Sequence, residues 1–198
     1  MKVLVVVDMQ QEFVSWLPEE KQEKLVHDVC CYVRERSKDS FIVFTKDTHN
    51  PSSYYKFFEA MKYAIHCIER SDEWDLHPMI SAEVAKCVNK SKYGMVMVPK
   101  STYAIHSGEI GKYIAYPLGN MIKEGEEVEF EVCGLTTDIC VLANVVALNT
   151  FFPFSKITVL ENLTFGTTRS KTLDALNVMD SMGIILRDAE IKEEKEDE

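Results

Sequence analysis

Residues 128–150 read VEFEVCGLTTDICVLANVVALNT. Val128, Phe130 and Val132 alternate with Glu127, Glu129 and Glu131, the two-residue period of a strand. The alternation breaks at Gly134, and Thr136, Thr137 and Asp138 follow, residue types that favour helix starts. From Ile139 onward, Cys140, Val141, Ala143, Val145, Val146 and Leu148 spell a largely buried helix. A strand thus runs through a tight glycine-containing turn into a helix, with Cys140 in the first turn. Backbone N–H groups and the helix dipole favour a thiolate there. The same N–H groups suit an oxyanion formed when sulfur attacks a carbonyl. A small apolar residue packing helix onto sheet is the commoner fate of a cysteine. Position alone does not separate the two.

Outward from this unit the chain repeats strand and helix. Lys2 to Val7 is an aliphatic run suited to a strand buried on both faces, and it ends at Asp8. Pro18 to Arg36 carries Leu25, Val26, Val29 and Val33 at helical spacing, and Phe41 to Thr45 is a second strand. The stretch from Lys46 to Pro78 is irregular and rich in His, Tyr and Phe. Ser81 to Val88 reads as a short helix, and Met95 to Val98 as a third strand closing with Pro99 and Lys100. Gly108 to Lys123 reads as helix despite Pro117 and Gly119. After the central unit come a strand at Lys156 to Leu160, an amphipathic helix at Arg169 to Met182 and a last strand at Gly183 to Leu186. Alternation of this kind predicts an α/β fold: a three-layer α/β/α sandwich around a mainly parallel, six-stranded sheet of Rossmann-like topology. Asp8, Asp47, Lys100 and the turn before Cys140 then share the carboxyl edge of the sheet, where open α/β sheets bind ligands.

The 198 residues carry no linker-like composition and no internal repeat, so one domain over 1–190 is expected. The terminal run IKEEKEDE, residues 191–198, reads as an acidic solvated tail. No apolar run reaches bilayer-spanning length, and a net charge of −10 argues against a nucleic-acid partner. The start MKVLVVVDMQ lacks the order of regions of a signal peptide. Six cysteines without a C-x-x-C pair read as reduced thiols in a cytoplasmic protein. The apolar VVALNTFFPF segment and the tyrosine-rich loop lead us to expect a homo-oligomer, although pattern alone does not distinguish interface from core.

A cysteine nucleophile needs a base or a stabilising cation. Asp8 could be the base, and Lys100 the cation that also keeps Asp8 ionised. Asp47-x-His49, joined by His66, offers three ligands with open positions for water or substrate, and Glu59 is a fourth candidate. A bare D-x-H also fits loop residues engaged in hydrogen bonds.

The sequence resembles the isochorismatase-like cysteine hydrolases, and within them the nicotinamidases (pyrazinamidases). The resemblance rests on VVVDMQQEF with Asp8 and Phe13, FTKDTHNP followed by YAIHC, VPKSTYA with Lys100 and Tyr103, and GLTTDICVLANVVAL with Cys140. It implies a catalytic triad of Cys140, Asp8 and Lys100, and a cis peptide at Leu135–Thr136. It further implies an oxyanion hole from the N–H groups of Thr136 and Cys140, and substrate contacts from Phe13, Tyr63, Tyr103 and Leu135. One divalent metal ion is implied at Asp47, His49 and His66, joined in some members by a glutamate at the position of Glu59. Zinc is the first expectation, with iron or manganese as alternatives and no organic cofactor. The implied reaction is hydrolysis of nicotinamide to nicotinate and ammonia through a thioester. Two departures bear on the substrate: Tyr63–Ala64 stands where nicotinamidases commonly carry Trp-Pro, and Ser53, Tyr54 and Tyr55 stand where many have a further histidine. Other readings are a relative acting on another small amide, a carbamoyl compound or an isochorismate-like vinyl ether, a non-catalytic binding protein, and a thiol redox protein using Cys133.

Overall fold

The computed structural model describes residues 1–192; apart from Ile191 and Lys192, the expected tail lies outside the described residues. Its sheet has six strands in the order 3-2-1-4-5-6, and every adjacent pair is parallel. In chain order these are β1 (Lys2–Val7), β2 (Ser40–Asp47), β3 (Met95–Lys100), β4 (Glu129–Leu135), β5 (Lys156–Phe165) and β6 (Ile185–Arg187). Alternation within the strands divides the core in two. Val3, Val5, Phe41, Val43, Phe130 and Val132 face one layer, whereas Leu4, Val6, Ile42, Phe44, Cys133 and Leu135 face the other. The second layer is closed by α1 (Gln11–Ser15), α2 (Glu19–Arg36) and α3 (Pro78–Cys87). The first is closed by helices further along the chain: α4 (Ser107–Ile110), α5 (Tyr116–Met121), α6 (Leu142–Phe151) and α7 (Arg169–Ser181). The result is the three-layer sandwich expected from the pattern.

The strand order reverses between β1 and β4, and the register pairs Val7 with Gly134. The two backbones are so close that a Cβ on Gly134 would lie 2.1 Å from the Val7 carbonyl oxygen. Gly134 also has φ +112°, which other residues rarely adopt. Glycine therefore does not end the strand, as its pattern suggests, but lets β4 run on to Leu135.

Other boundaries differ for local reasons. Residues 18–36 are preceded by a separate short helix, α1, too brief to show a period. α3 starts at Pro78 rather than Ser81 because proline suits the first helical position and His77 Nδ1 accepts the Met79 N–H at 3.4 Å. Residues 107–121 are helical throughout, but the turn Gly111–Ala115 is widened to π spacing just ahead of Pro117, whose ring would otherwise meet the carbonyl four residues back. β5 is ten residues long and irregular opposite Val132–Gly134. Its polar Glu161 and Asn162 hide that extension in the sequence. Pro99 is tolerated because β3 lies at the sheet edge. Among the described residues, no helix is long and apolar enough to cross a membrane.

Candidate active site

Asp8 follows β1, Lys100 ends β3 and Cys140 lies in the turn after β4, so the sheet brings residues far apart in sequence to one edge. All three are buried, with Asp8 fully so and Lys100 2% exposed. Lys100 Nζ lies 2.7 Å from Asp8 Oδ2 as an ion pair, 3.3 Å from Asp47 Oδ1 and 3.7 Å from Cys140 Sγ. Burial works against the Lys100 ammonium, but Asp8, Cys140 and Asp47 outweigh it and raise its pKa well above the ordinary lysine range. Burial raises the Asp8 carboxyl above its ordinary value although Lys100 pulls it down. It also pushes the Cys140 thiol well up, against the pull of Lys100. The sulfur thus lies beside a buried carboxyl group and a fixed cation.

Cys140 sits in a widened turn, Thr137–Val141, in which the Val141 N–H donates to the Thr136 carbonyl at 3.1 Å. Such π turns recur at functional sites. The Leu135–Thr136 peptide is cis. Asn144, buried one turn into α6, donates to the Cys140 carbonyl at 2.8 Å and to the Tyr103 carbonyl at 3.2 Å, and accepts the Ile105 N–H at 3.1 Å. It thereby ties the Tyr103 loop to the cysteine turn.

Asp47, His49, His66 and Glu59 present ligand atoms that all lie within 4.8 Å of one another. His49 Nε2 and His66 Nε2 approach the same atom, Asp47 Oδ2, at 3.0 and 3.2 Å, and reach Glu59 oxygens at 3.7 and 3.6 Å. Such spacings suit ligands around one ion with bonds of about 2.0–2.2 Å. His66 Nδ1–H donates to the Ala64 carbonyl at 2.9 Å, which leaves Nε2 as the ligating atom and fixes the ring. His49 Nδ1 is buried with no hydrogen-bond partner. Charge argues the same way. Asp8 and Asp47 share a single lysine, the largely enclosed Glu59 faces only the two imidazoles, and burial, followed by Asp47, raises the Glu59 carboxyl. A divalent cation would add positive charge here, and two imidazoles with two carboxylates suit zinc, iron or manganese. The residues fit the group.

Between the cysteine and this cluster lies a pocket walled by Phe13, Trp16, Tyr63, Tyr103, Thr136 and Ile139. Its enclosed space is only about 20 Å³, room for roughly one water, so a substrate ring enters only as a side chain moves. Phe13, Tyr63 and Tyr103, expected as substrate contacts, line this pocket. Leu135, expected with them, lies elsewhere. Its side chain is fully buried in the α2-side core and does not line this pocket, because strand alternation turns it to the other layer. The sequence reading missed Trp16 and Ile139, and also Thr45 and Gln10. The Thr45 hydroxyl donates to Asp8 Oδ1 at 2.6 Å and accepts the Asp8 N–H at 3.1 Å. Gln10 brackets the Asp47 backbone, accepting its N–H at 2.7 Å and donating to its carbonyl at 2.9 Å. The only sequence signal for either is a polar residue at the end of an apolar run.

The isochorismatase domain profile matches residues 2–190. The chain belongs to the isochorismatase family. Solved structures of similar fold include the yeast nicotinamidase, at 20% identity and TM-score 0.74 over 96% of this chain and 100% of that one. The nicotinamidase of Bacillus subtilis is 18% identical, with TM-score 0.71 over 94% and 99%. The pyrazinamidase of Pyrococcus horikoshii, solved in complex with zinc, is 23% identical with TM-score 0.69 over 95% and 99%. At these identities the likeness shows the isochorismatase-like fold. No curated protein matches the chain in sequence. As a member of this family the chain is a hydrolase, with a candidate metal group beside its cysteine.

Proposed function

We propose that the chain is a metal-containing cysteine amidohydrolase that converts nicotinamide and water to nicotinate and ammonia. The supporting observation is the meeting, across one small pocket, of the Cys140–Lys100–Asp8 cluster with the four-ligand group. Relatives without a metal have no use for that group. The nicotinamidases among the structural neighbours, and a further neighbour from L. infantum solved in complex with nicotinate, support the choice of substrate.

Asp8 takes the Cys140 proton as sulfur attacks the carboxamide carbon, and Lys100 balances the charge that develops. Backbone N–H groups of Thr136 and Cys140 hold the tetrahedral oxyanion. The C–N bond breaks as Asp8 passes its proton to the leaving amine, releasing ammonia. Water then adds to the thioester, giving up a proton through Asp8, and the regenerated thiol leaves nicotinate. Asp47, His49, His66 and Glu59 would hold a divalent ion, which would supply a Lewis acid beside the substrate ring. Phe13, Tyr63 and Tyr103 pack on the ring. The six free cysteines accord with a cytoplasmic enzyme.

Purified, zinc-loaded protein incubated with nicotinamide should release ammonia. Cys140→Ala should lower turnover by at least about 10⁴-fold while leaving circular dichroism and metal content unchanged. Full activity in the variant would sink the mechanism, and no release by the loaded wild type would sink the substrate. Tyr63–Ala64, in place of Trp-Pro, favours a second reading, in which the same machinery acts on another small amide.

A further inference from the structure

A second cavity lies directly behind the catalytic pocket. The two share Phe13, Trp16 and Thr136 as walls, so these three residues stand between them. Their sizes differ greatly: about 20 Å³ beside Cys140 and about 620 Å³ behind Trp16. Trp16 is a weak partition. It ends the five-residue α1, is 45% exposed, and touches Phe13 and His66 only edge to face, at 4.8 and 5.6 Å between ring centres. Among the described residues no hydrogen bond holds its indole N–H.

The lining of the outer cavity states what it would take. Leu17, Pro18 and Phe165 join the aromatic walls on one side, and Arg169 is the only charged residue that lines it. Arg169 is exposed and has no ion-pair partner among the described residues. On a chain of net charge −10, a cavity whose single charge is positive is a distinctive environment. An apolar wall leading to one guanidinium fits an uncharged spacer that ends in an anion.

We infer that the outer cavity is a second substrate subsite, which receives the anionic tail of a primary carboxamide longer than a single ring. This rests on the amidase reading and extends its substrate class. The carboxamide carbon meets Cys140, the tail passes between Trp16 and Thr136, and its carboxylate or phosphate ends at Arg169. Trp16 turns aside to join the two spaces, which gives the ring the room that the inner pocket lacks.

The test compares aryl carboxamides that carry a carboxyalkyl tail with their neutral methyl esters, and with nicotinamide. The zinc-loaded full chain should hydrolyse the acids with higher kcat/KM than the esters. Arg169→Ala should lower that acid-to-ester ratio about fivefold, the scale of one partly exposed ion pair, and Arg169→Lys should restore part of it. Equal rates for acid and ester, or a ratio unchanged in Arg169→Ala, would overturn the subsite. So would exclusion of every tailed amide while nicotinamide is hydrolysed. Failure of all amides, nicotinamide included, would count against the amidase reading, and binding would then decide the subsite. A tailed carboxylic acid should quench indole fluorescence saturably in the wild type, with about fivefold weaker affinity in Arg169→Ala and no quench in Trp16→Phe. Absence of saturable quenching in the wild type would overturn it.

Discussion

Asp8 has φ +46°, and its carboxylate is held by two neighbours, the Thr45 hydroxyl on Oδ1 at 2.6 Å and the Lys100 ammonium on Oδ2 at 2.7 Å. Burial sets the Asp8 carboxyl above its ordinary value, while Lys100 and the Thr45 bond draw it down. The base must be ionised to take the thiol proton, so kcat/KM should fall as pH drops through that raised value. Thr45→Val removes a bond that favours the ionised form. It should therefore move the acidic limb of the pH profile higher and cost about tenfold or more in kcat at neutral pH. An unmoved limb with intact kcat would remove Thr45 from the account. The contrast between Asp8 and Thr45 also shows what sequence discloses at this scale. Asp8, Asp47 and Lys100 each close an apolar run and Cys140 opens one, so they stand out singly. Thr45 acts only through a partner 37 residues away, and Asn144 ties Cys140, four residues back, to partners 39 and 41 residues away. Nothing in their own surroundings marks them.

Elements are positioned by contacts of a few ångströms that the hydrophobic pattern does not encode. Gly134→Ala would put a Cβ 2.1 Å from the Val7 carbonyl oxygen, backbone that has nowhere to move. It should destabilise by about 4 kcal/mol or more, read from a denaturant midpoint or from loss of soluble protein. Gly125→Ala is the control, with φ +81° but open space around it, and should cost about 1 kcal/mol. Equal effects at the two sites would refute the close-approach argument. On the opposite face, α2 is fastened to α3 by Arg34, whose Nε and Nη2 donate to the two Glu83 oxygens at 2.7 and 2.8 Å. The Arg34 bonds hold the Glu83 carboxyl below its ordinary value, so this stability is present above the unfolded value near 4.5 and lost as pH falls through the folded one. Glu83→Gln should lower the neutral-pH Tm by about 3–8 °C, with the difference shrinking in acid; a constant gap at all pH values would contradict it. Six strands, their mainly parallel arrangement and most helices were legible, because each carries its own pattern. The short α1, the far half of β5 and the full reach of β4 were not. α1 is shorter than a pattern needs, β5 crosses Glu161 and Asn162 toward the site, and β4 passes a glycine that elsewhere would mean a turn.

At the scale of the molecule, folding places Asp8, Asp47 and Glu59 together, with Lys100 on Asp8 and Asp47 and the His49 and His66 imidazoles on Asp47 and Glu59. Carboxylates crowded in this way raise the energy of the folded chain unless a cation joins them, so metal should act as a folding ligand as well as a part of the site. A ligand present at a hundredfold excess over its Kd contributes about 2.7 kcal/mol, or roughly 5–10 °C in Tm for a chain of this size. Chelator-treated protein titrated with zinc should show a rise of that order, saturating near one ion per chain. Magnesium, which prefers oxygen ligands and retains its water, should give little. His49→Ala removes one of the two imidazoles that share Asp47 Oδ2 and should abolish the rise while the metal-free Tm remains measurable. A wild type indifferent to zinc, or a variant that responds equally, would mean that the four ligand atoms converge for structural reasons alone. The negative charge would then have to be balanced inside the cluster, by a proton on Glu59 or on His66, whose imidazole, against the effect of burial, Asp47 raises above its ordinary value.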